Sequence, residues 1–196
     1  MDKLSYAWGM VLGQQLRAMG VSNLDKAEFD EGVHAAFDGK ETKISPEEAN
    51  KLIQEYLQEL TEKKAAEIKS VGEKFLAENK KKENVKETAS GLQYIVDKEG
   101  TGAQPTATDE VTVHYTGKLL DGTVFDSSVN RGEPATFPLN RVIPGWTEGV
   151  QLMKEGAKYT FFIPSDLAYG PQGVPNAIPP HSTLIFDVEL IKVVKK

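Results

Sequence analysis

The sequence predicts an α+β chain: an N-terminal three-helix region with a very long third helix, then a strongly bent antiparallel sheet around one short helix. Three observations predict it. Only Pro46 precedes residue 90, while the other nine of the ten prolines fall between Pro105 and Pro180. Glycine and aromatic residues shift in the same direction. Apolar residues recur at three- and four-residue spacing in the first half, and short runs bounded by turn signals replace them in the second.

The first helix is predicted from about Lys3 to Met19, with Leu4, Trp8, Val11, Leu12, Leu16 and Met19 on one stripe and Gly20 as the stop. The second starts after Asp25, with Glu28 as its capping-box partner. It carries Phe29, Val33, Ala36 and Phe37, and ends at Gly39. Ser45, Pro46 and Glu48 supply N-cap, first-turn proline and capping box for the third. No breaker stronger than Gly72 follows until about residue 88, so the third helix is expected over about 46–85. From Pro46 to about Lys82 it would be roughly 55 Å long.

That length exceeds what two short helices of one chain can cover. Leu52, Ile53, Tyr56, Leu57 and Leu60 can join a helical core, but Ile68, Val71, Phe75 and Leu76 need another partner or pack only lightly. Residues 1–80 are therefore expected to form a helical dimerisation domain. Gly9 and Gly13 offer a possible close crossing of two chains, against the plainer reading of two glycines tolerated in a helix. Residues 81–90, charged and poor in large apolar groups, read as a linker. Lys80, Lys81 and Lys82 read as a solvated face, diluted by Glu78, Glu83 and Glu87.

Residues 91–196 form the second domain. Strands are expected at Leu92–Lys98, Val111–Leu120, Thr123–Asp126, Ala135–Leu139, Tyr159–Ile163 and Thr183–Val193. Asp121-Gly122 is a hairpin turn. A short helix, Thr147–Met153, is expected after a break at Pro144-Gly145.

Composition narrows the chemistry. A net charge of -6 argues against nucleic acid as a partner. The absence of cysteine excludes disulfides, thiolate metal sites and Cys nucleophiles. No apolar run approaches the ~20 residues of a membrane span, so no membrane insertion is expected. The N-terminus has no signal-peptide core, which predicts a cytoplasmic protein as written, or a periplasmic one if a leader has been removed. Ser127-Ser128 lack a nucleophile-elbow pattern, which leaves a hydrolase with little support.

Four segments carry a specific signal. They are Val113-His114-Tyr115-Thr116-Gly117 with Gly122–Ser128; Val142-Ile143-Pro144-Gly145-Trp146 with Glu148-Gly149-Val150; Ile163-Pro164 with Ala168-Tyr169-Gly170; and Ile178–Leu184 with Phe186–Leu190. In this order they resemble the signatures of the FKBP-type peptidyl-prolyl cis–trans isomerases. The first half is similar, by architecture and by Ser5 to Gly13, to the helical dimerisation region of Mip-like bacterial members.

The resemblance implies an isomerase that accelerates X–Pro bond rotation in protein folding, with no cofactor and no metal. Proline-containing unfolded or partly folded polypeptides would be its substrates, macrolides its possible inhibitors, and a homodimer through the N-terminal helices its assembly, with dimer-dependent chaperone activity. Trp146 would floor the proline pocket, with Tyr115, Phe125, Phe137, Val142, Ile143, Tyr169 and Phe186 as walls. Ile178 is carried over as a further substrate-binding residue. The Ile143 N–H and the Tyr169 hydroxyl would hold substrate carbonyls. Asp126 would sit at the rim, near Tyr115 and the twisting amide, with Arg131 as its ion partner. Phe125, Asp126, Ile143 and Tyr169 are the residues expected to act on the reaction.

The same resemblance makes a non-enzymatic binding module the main competitor, but such domains commonly lose the Trp or the Tyr, and both are present here. Departures lie at Val174 and Ala177, where many members carry His and a larger aliphatic, and at Arg141, where an acidic residue is common. These predict an altered pocket rim and altered macrolide contacts. His114 and His181 are read as structural, and His34 as a surface residue.

Overall fold

The computed structural model describes residues 2–195. The chain divides into two compact units, 1–63 and 64–196, with the boundary inside one continuous helix.

The first unit holds α1 (Lys3–Ala18), α2 (Lys26–Phe37) and the first half of α3 (Pro46–Asn79). Each start is capped as short polar side chains allow. Asp2 accepts from the Leu4 N–H, Asp25 from those of Ala27 and Glu28, and Ser45 Oγ from that of Glu48. Gly20 and Gly39 follow α1 and α2 with positive φ, 89° and 65°. Neither α1 nor α2 contains a buried residue: Trp8 is 70% exposed and Phe37 88%.

The second unit takes the last four turns of α3 as its own. Ile68, Phe75 and Leu76, expected to need another partner or to pack only lightly, are half-buried within this unit, and Val71 stays exposed. The Phe75 ring lies 5.7 Å from that of Phe162, centroid to centroid. Gly72 is buried against Thr183, close enough that a Cβ would come within 3.2 Å of the Thr183 Cβ. The helix also ends earlier than expected, at Asn79 rather than about 85. Its end is tied down by a buried amide pair. Asn79 donates to Gln93 Oε1 (3.0 Å), and Gln93 Nε2 donates to the Leu76 carbonyl (2.9 Å) and to Glu87 (2.8 Å). The Leu76 carbonyl also accepts from the Lys80 N–H (3.1 Å), so the glutamine amide adds a second bond to it.

The segment expected as a linker, 81–90, contains a short strand, β1 (Lys86–Glu87), paired with β2 (Gln93–Lys98). The remaining elements are β3 (Glu110–Leu119), β4 (Val124–Ser127), α4 (Ser128–Arg131), β5 (Ala135–Pro138), α5 (Pro144–Val150), β6 (Lys158–Ile163) and β7 (Leu184–Val194). The sheet is antiparallel in the order β1-β2-β6-β7-β3-β4, with β5 also on β3.

Register follows from alternation. Val111, Val113 and Tyr115 of β3 face the core with Leu184, Phe186, Val188 and Leu190 of β7. A bulge between the pairs Thr112–Lys192 and Val113–Leu190 leaves Ile191 unpaired and lets Val193 rejoin the core face. On β6, Phe161 points into the core, whereas Phe162 faces the other side and is covered by Phe75. The β3–β4 turn closes as predicted: Gly122 has φ 88°, its N–H reaches the Leu119 carbonyl, and Asp121 accepts from the Thr123 N–H.

The α5 helix starts at Pro144, not Thr147, and ends at Val150. Pro144 is an N-terminal helical residue rather than a break. Gly145 lies inside the helix, because a Cβ there would sit 2.5 Å from Ile163 Cγ2. Gly149, one turn on, faces Phe161 in the same way, at 2.7 Å.

Gly72 offers a test with opposed signs. Helix propensity alone favours Ala over Gly by about 1 kcal/mol. Contact with Thr183 predicts the reverse, a loss of roughly 1–3 kcal/mol for Gly72→Ala. Chemical denaturation should show that loss, and it should shrink in a Thr183→Ala background. A stabilised single variant would refute the contact's role.

Candidate active site

A cavity of about 420 Å³ opens on the concave side of the sheet, lined by Tyr115, Phe125, Asp126, Phe137, Arg141, Val142, Ile143, Trp146, Tyr169 and Phe186. These side chains come from β3, β4, β5, the start of α5, β7 and the loop after residues 165–167. β3 supplies Tyr115, and its three partner strands supply Phe125, Asp126, Phe137 and Phe186. The bend of the sheet brings its parts together.

Trp146, 4% exposed, forms the base. Three rings meet it edge-on: Tyr115 at 5.2 Å, Phe186 at 5.3 Å and Phe137 at 5.9 Å, with interplanar angles of 90°, 83° and 88°. Perpendicular contacts of this kind suit the ring quadrupoles. The buried indole N–H has no hydrogen-bond acceptor among the described residues, and aromatic rings take the place of oxygen around it. Phe125 adds a fourth edge-on pair with Phe186, at 5.5 Å. Gly117 makes room for both rings, since a Cβ there would lie 2.6–2.7 Å from atoms of each.

One polar cluster interrupts the apolar wall. The Tyr115 hydroxyl donates to Asp126, Arg131 pairs with the same carboxylate, and Arg131 also donates to the Tyr115 oxygen at 3.0 Å. Its guanidinium lies 5.7 Å from the centre of the Tyr115 ring. Burial works against the Asp126 carboxylate but is outweighed by the Tyr115 and Arg131 hydrogen bonds and the Arg131 charge, so its pKa is lowered. Burial raises the pKa of Tyr115, and the bond to Asp126 adds to the effect. Tyr169 is raised by burial and then by the Asp126 charge.

Two donors at the cavity remain unused. The Ile143 N–H and the Tyr169 hydroxyl have no hydrogen-bond partner among the described residues, and Tyr169 is 40% exposed. The Ile143 carbonyl, by contrast, is occupied by the N–H groups of Trp146 and Thr147. The turn before it is fixed by Thr147 Oγ1 on the Leu139 carbonyl, at 2.6 Å.

The structure thus brings together nine of the eleven residues named from the sequence and leaves two outside the lining. Arg131 touches the cavity only through Asp126 and Tyr115. Ile178 is packed in the core, 5% exposed, and borders a separate depression with Leu119, Val174 and Ala177. Val174 and Ala177, expected to alter the pocket rim, border that depression and are not among the residues lining the Trp146 cavity. Arg141 does line it.

The remaining polar side chains are committed to structure. Ser128 is fully buried, accepts from the Tyr115 N–H (2.8 Å) and lies 3.1 Å from His114 Nδ1. Ser127 caps α4 through the Asn130 N–H. Neither serine is presented as a nucleophile. His181 has positive φ (58°), its N–H donates to the Gly170 carbonyl, and its Nδ1 is buried without a partner among the described residues. His34 is exposed beside Asp30.

The cavity is thus mostly aromatic, with two free donors on its wall and no serine or cysteine among its lining residues. The comparisons with known proteins supply the class. Residues 101–191 match the family described as FKBP-type peptidyl-prolyl cis-trans isomerase, and residues 1–96 that described as the domain amino terminal to it. The chain is 50% identical over 202 residues to the probable FKBP-type peptidyl-prolyl cis-trans isomerase FkpA of Neisseria meningitidis serogroup B, spanning 98% of this chain and 74% of that protein. It is 45% identical over 192 residues to the FKBP-type 22 kDa peptidyl-prolyl cis-trans isomerase of Escherichia coli K12, spanning 96% and 93%. The crystal structure of FkpA from Escherichia coli superimposes with a TM-score of 0.80 at 41% identity, covering 98% of this chain and 95% of that one. The chain belongs to the FKBP-type peptidyl-prolyl cis–trans isomerases, with the N-terminal domain characteristic of the FkpA and Mip members.

The titrating groups set a pH expectation. With its pKa lowered, Asp126 is ionised at any pH above about 4, and both tyrosines keep their protons to about pH 10. A depressed carboxylate contributes stability above its unfolded pKa and loses it as pH falls through the folded value. Isomerase kcat/KM is therefore expected to stay flat from about pH 5 to 9 and to fall only below about 4. A bell centred near neutrality would show that proton transfer takes part.

Proposed function

We propose that the Trp146 cavity is the proline site and that it catalyses rotation by desolvating and clamping the amide. The barrier about an X–Pro bond is about 18–20 kcal/mol and comes from amide resonance. Planar amides are polar and favoured by water. The twisted transition state loses resonance and polarity, so a site that removes water favours it. The observation that carries this reading is the cavity itself: aromatic rings converge on Trp146, and the unpaired Ile143 N–H and Tyr169 hydroxyl stand beside them. Those two donors would hold the carbonyls on either side of the rotating bond. Asp126, fixed by Tyr115 and Arg131, would face the amide as it turns.

A protease-free assay on a Leu-Pro tetrapeptide tests this. Phe125→Tyr and Asp126→Leu should each lower kcat/KM by about tenfold, the scale of one transition-state interaction. Unchanged turnover in both would refute the assignment.

We further propose that the N-terminal helices pair two chains and that the dimer binds unfolded protein. The exposed faces of α1 and α2 and a cavity of about 590 Å³ between α2 and residues 41–49 support it. Two proline sites in one assembly would engage one client by avidity. Sedimentation equilibrium of the whole chain at about ten micromolar, far above the Kd expected of such an interface, should give a dimer. Trp8→Glu with Phe37→Glu should give a monomer that turns over the tetrapeptide normally but accelerates a proline-limited refolding reaction less. A monomeric parent protein would overturn the pairing.

A further inference from the structure

The cavity wall carries two charged side chains, Asp126 and Arg141, and only one of them is compensated. Asp126 is paired with Arg131 and accepts from the Tyr115 hydroxyl. Arg141 makes no salt bridge and no side-chain hydrogen bond among the described residues, and it is exposed at the mouth. The three charges of the site therefore comprise one neutral pair and one free cation.

The mounting of Arg141 is rigid. It ends the single turn at residues 139–141, whose first N–H is held by the Asp109 carbonyl (3.0 Å) and whose first carbonyl accepts from Thr147 Oγ1 (2.6 Å). Val142 and Ile143, the aliphatic part of the wall, follow it directly. A chain whose proline ring occupies the cavity must leave it on both sides through the mouth where this guanidinium stands. The effect is local. The protein as a whole carries a charge of -6, which disfavours acidic peptides at long range. At physiological salt that long-range repulsion is screened beyond about 8 Å, and a cation at the mouth acts inside that distance.

We propose that Arg141 is a specificity-determining residue: it selects X–Pro segments that carry an Asp or Glu side chain within two residues of the proline. The inference rests on the Trp146 cavity being the proline site. Opposite unit charges about 6 Å apart, in an effective dielectric of about 40–80, give a preference of about three- to tenfold.

The test uses the whole protein and peptides blocked at both ends, so that the only charge is the one introduced. Glu, Gln, Leu or Lys is placed at each of the two positions on either side of proline, and kcat/KM is measured without a coupling protease. At low ionic strength Glu should exceed the neutral Gln by about three- to tenfold at one or more positions, Lys should fall below Gln there, and the ratios should approach one in concentrated salt. Arg141→Lys should keep the preference, Arg141→Gln remove it and Arg141→Glu invert it. Equal rates for Glu and Lys at every position, or a Glu preference that survives Arg141→Gln, would overturn the inference while leaving the proline site intact. Absence of turnover of the Leu peptides by the unaltered protein would instead overturn the proline site itself.

Discussion

The close approach of α5 to β6 is the contact on which the site depends. Trp146 sits on the first turn of that helix, and its depth is set by how near the helix axis comes to the sheet. Two glycines one turn apart, Gly145 and Gly149, let the backbone rest directly on Ile163 and Phe161. With a side chain at either, the helix would stand off, because neither the strand nor the fully buried Phe161 ring can move aside. Trp146 would rise with it, and the perpendicular contacts with Tyr115, Phe137 and Phe186 would open. Packing between a short helix and a strand is thus what shapes a cavity of about 420 Å³.

The polar part of the site depends on that packing in turn. Tyr115 is held by Trp146 on one side, and its hydroxyl then has a fixed place from which to meet Asp126 and Arg131. The three groups satisfy one another, which fixes this part of the wall. Ser128 contributes from behind by holding the Tyr115 N–H. The chemistry proposed for the cavity is modest: to exclude water and present two donors. A preformed wall suits that purpose better than a mobile one.

Much of this was legible in the sequence, for an identifiable reason. The site residues lie in four short segments whose order resembles the family's signatures, and that resemblance points to the class of pocket. The rest turned on contacts between distant segments. Gly72 reads as a weak breaker and Gly145 as part of a break, yet each, like Gly149, marks a place where a helix touches its neighbour too closely for a Cβ. Alternation on β6 assigns one face to the core and cannot announce that Phe162, on the other face, meets Phe75 about ninety residues earlier. Gln93 and Asn79 read as ordinary polar residues, and their mutual burial explains both the earlier end of α3 and the strand in the expected linker. Ile178 shares a motif with site residues but faces a different depression, because motif membership fixes neighbourhood and not the direction of a side chain.

The cover that α3 lays over Phe162 also sets the smallest piece of this chain that can stand alone. Judged by motifs, the isomerase half could be excised at Gly91. Such a fragment would lose Gly72, Phe75 and Asn79, baring Phe162, uncovering Thr183 and stranding the Gln93 amide in an apolar setting. It would then carry a sticky flank on the outer face of its sheet, a hazard for association in its own right. A fragment beginning near Lys64 keeps that stretch of helix and with it the cover over Phe162.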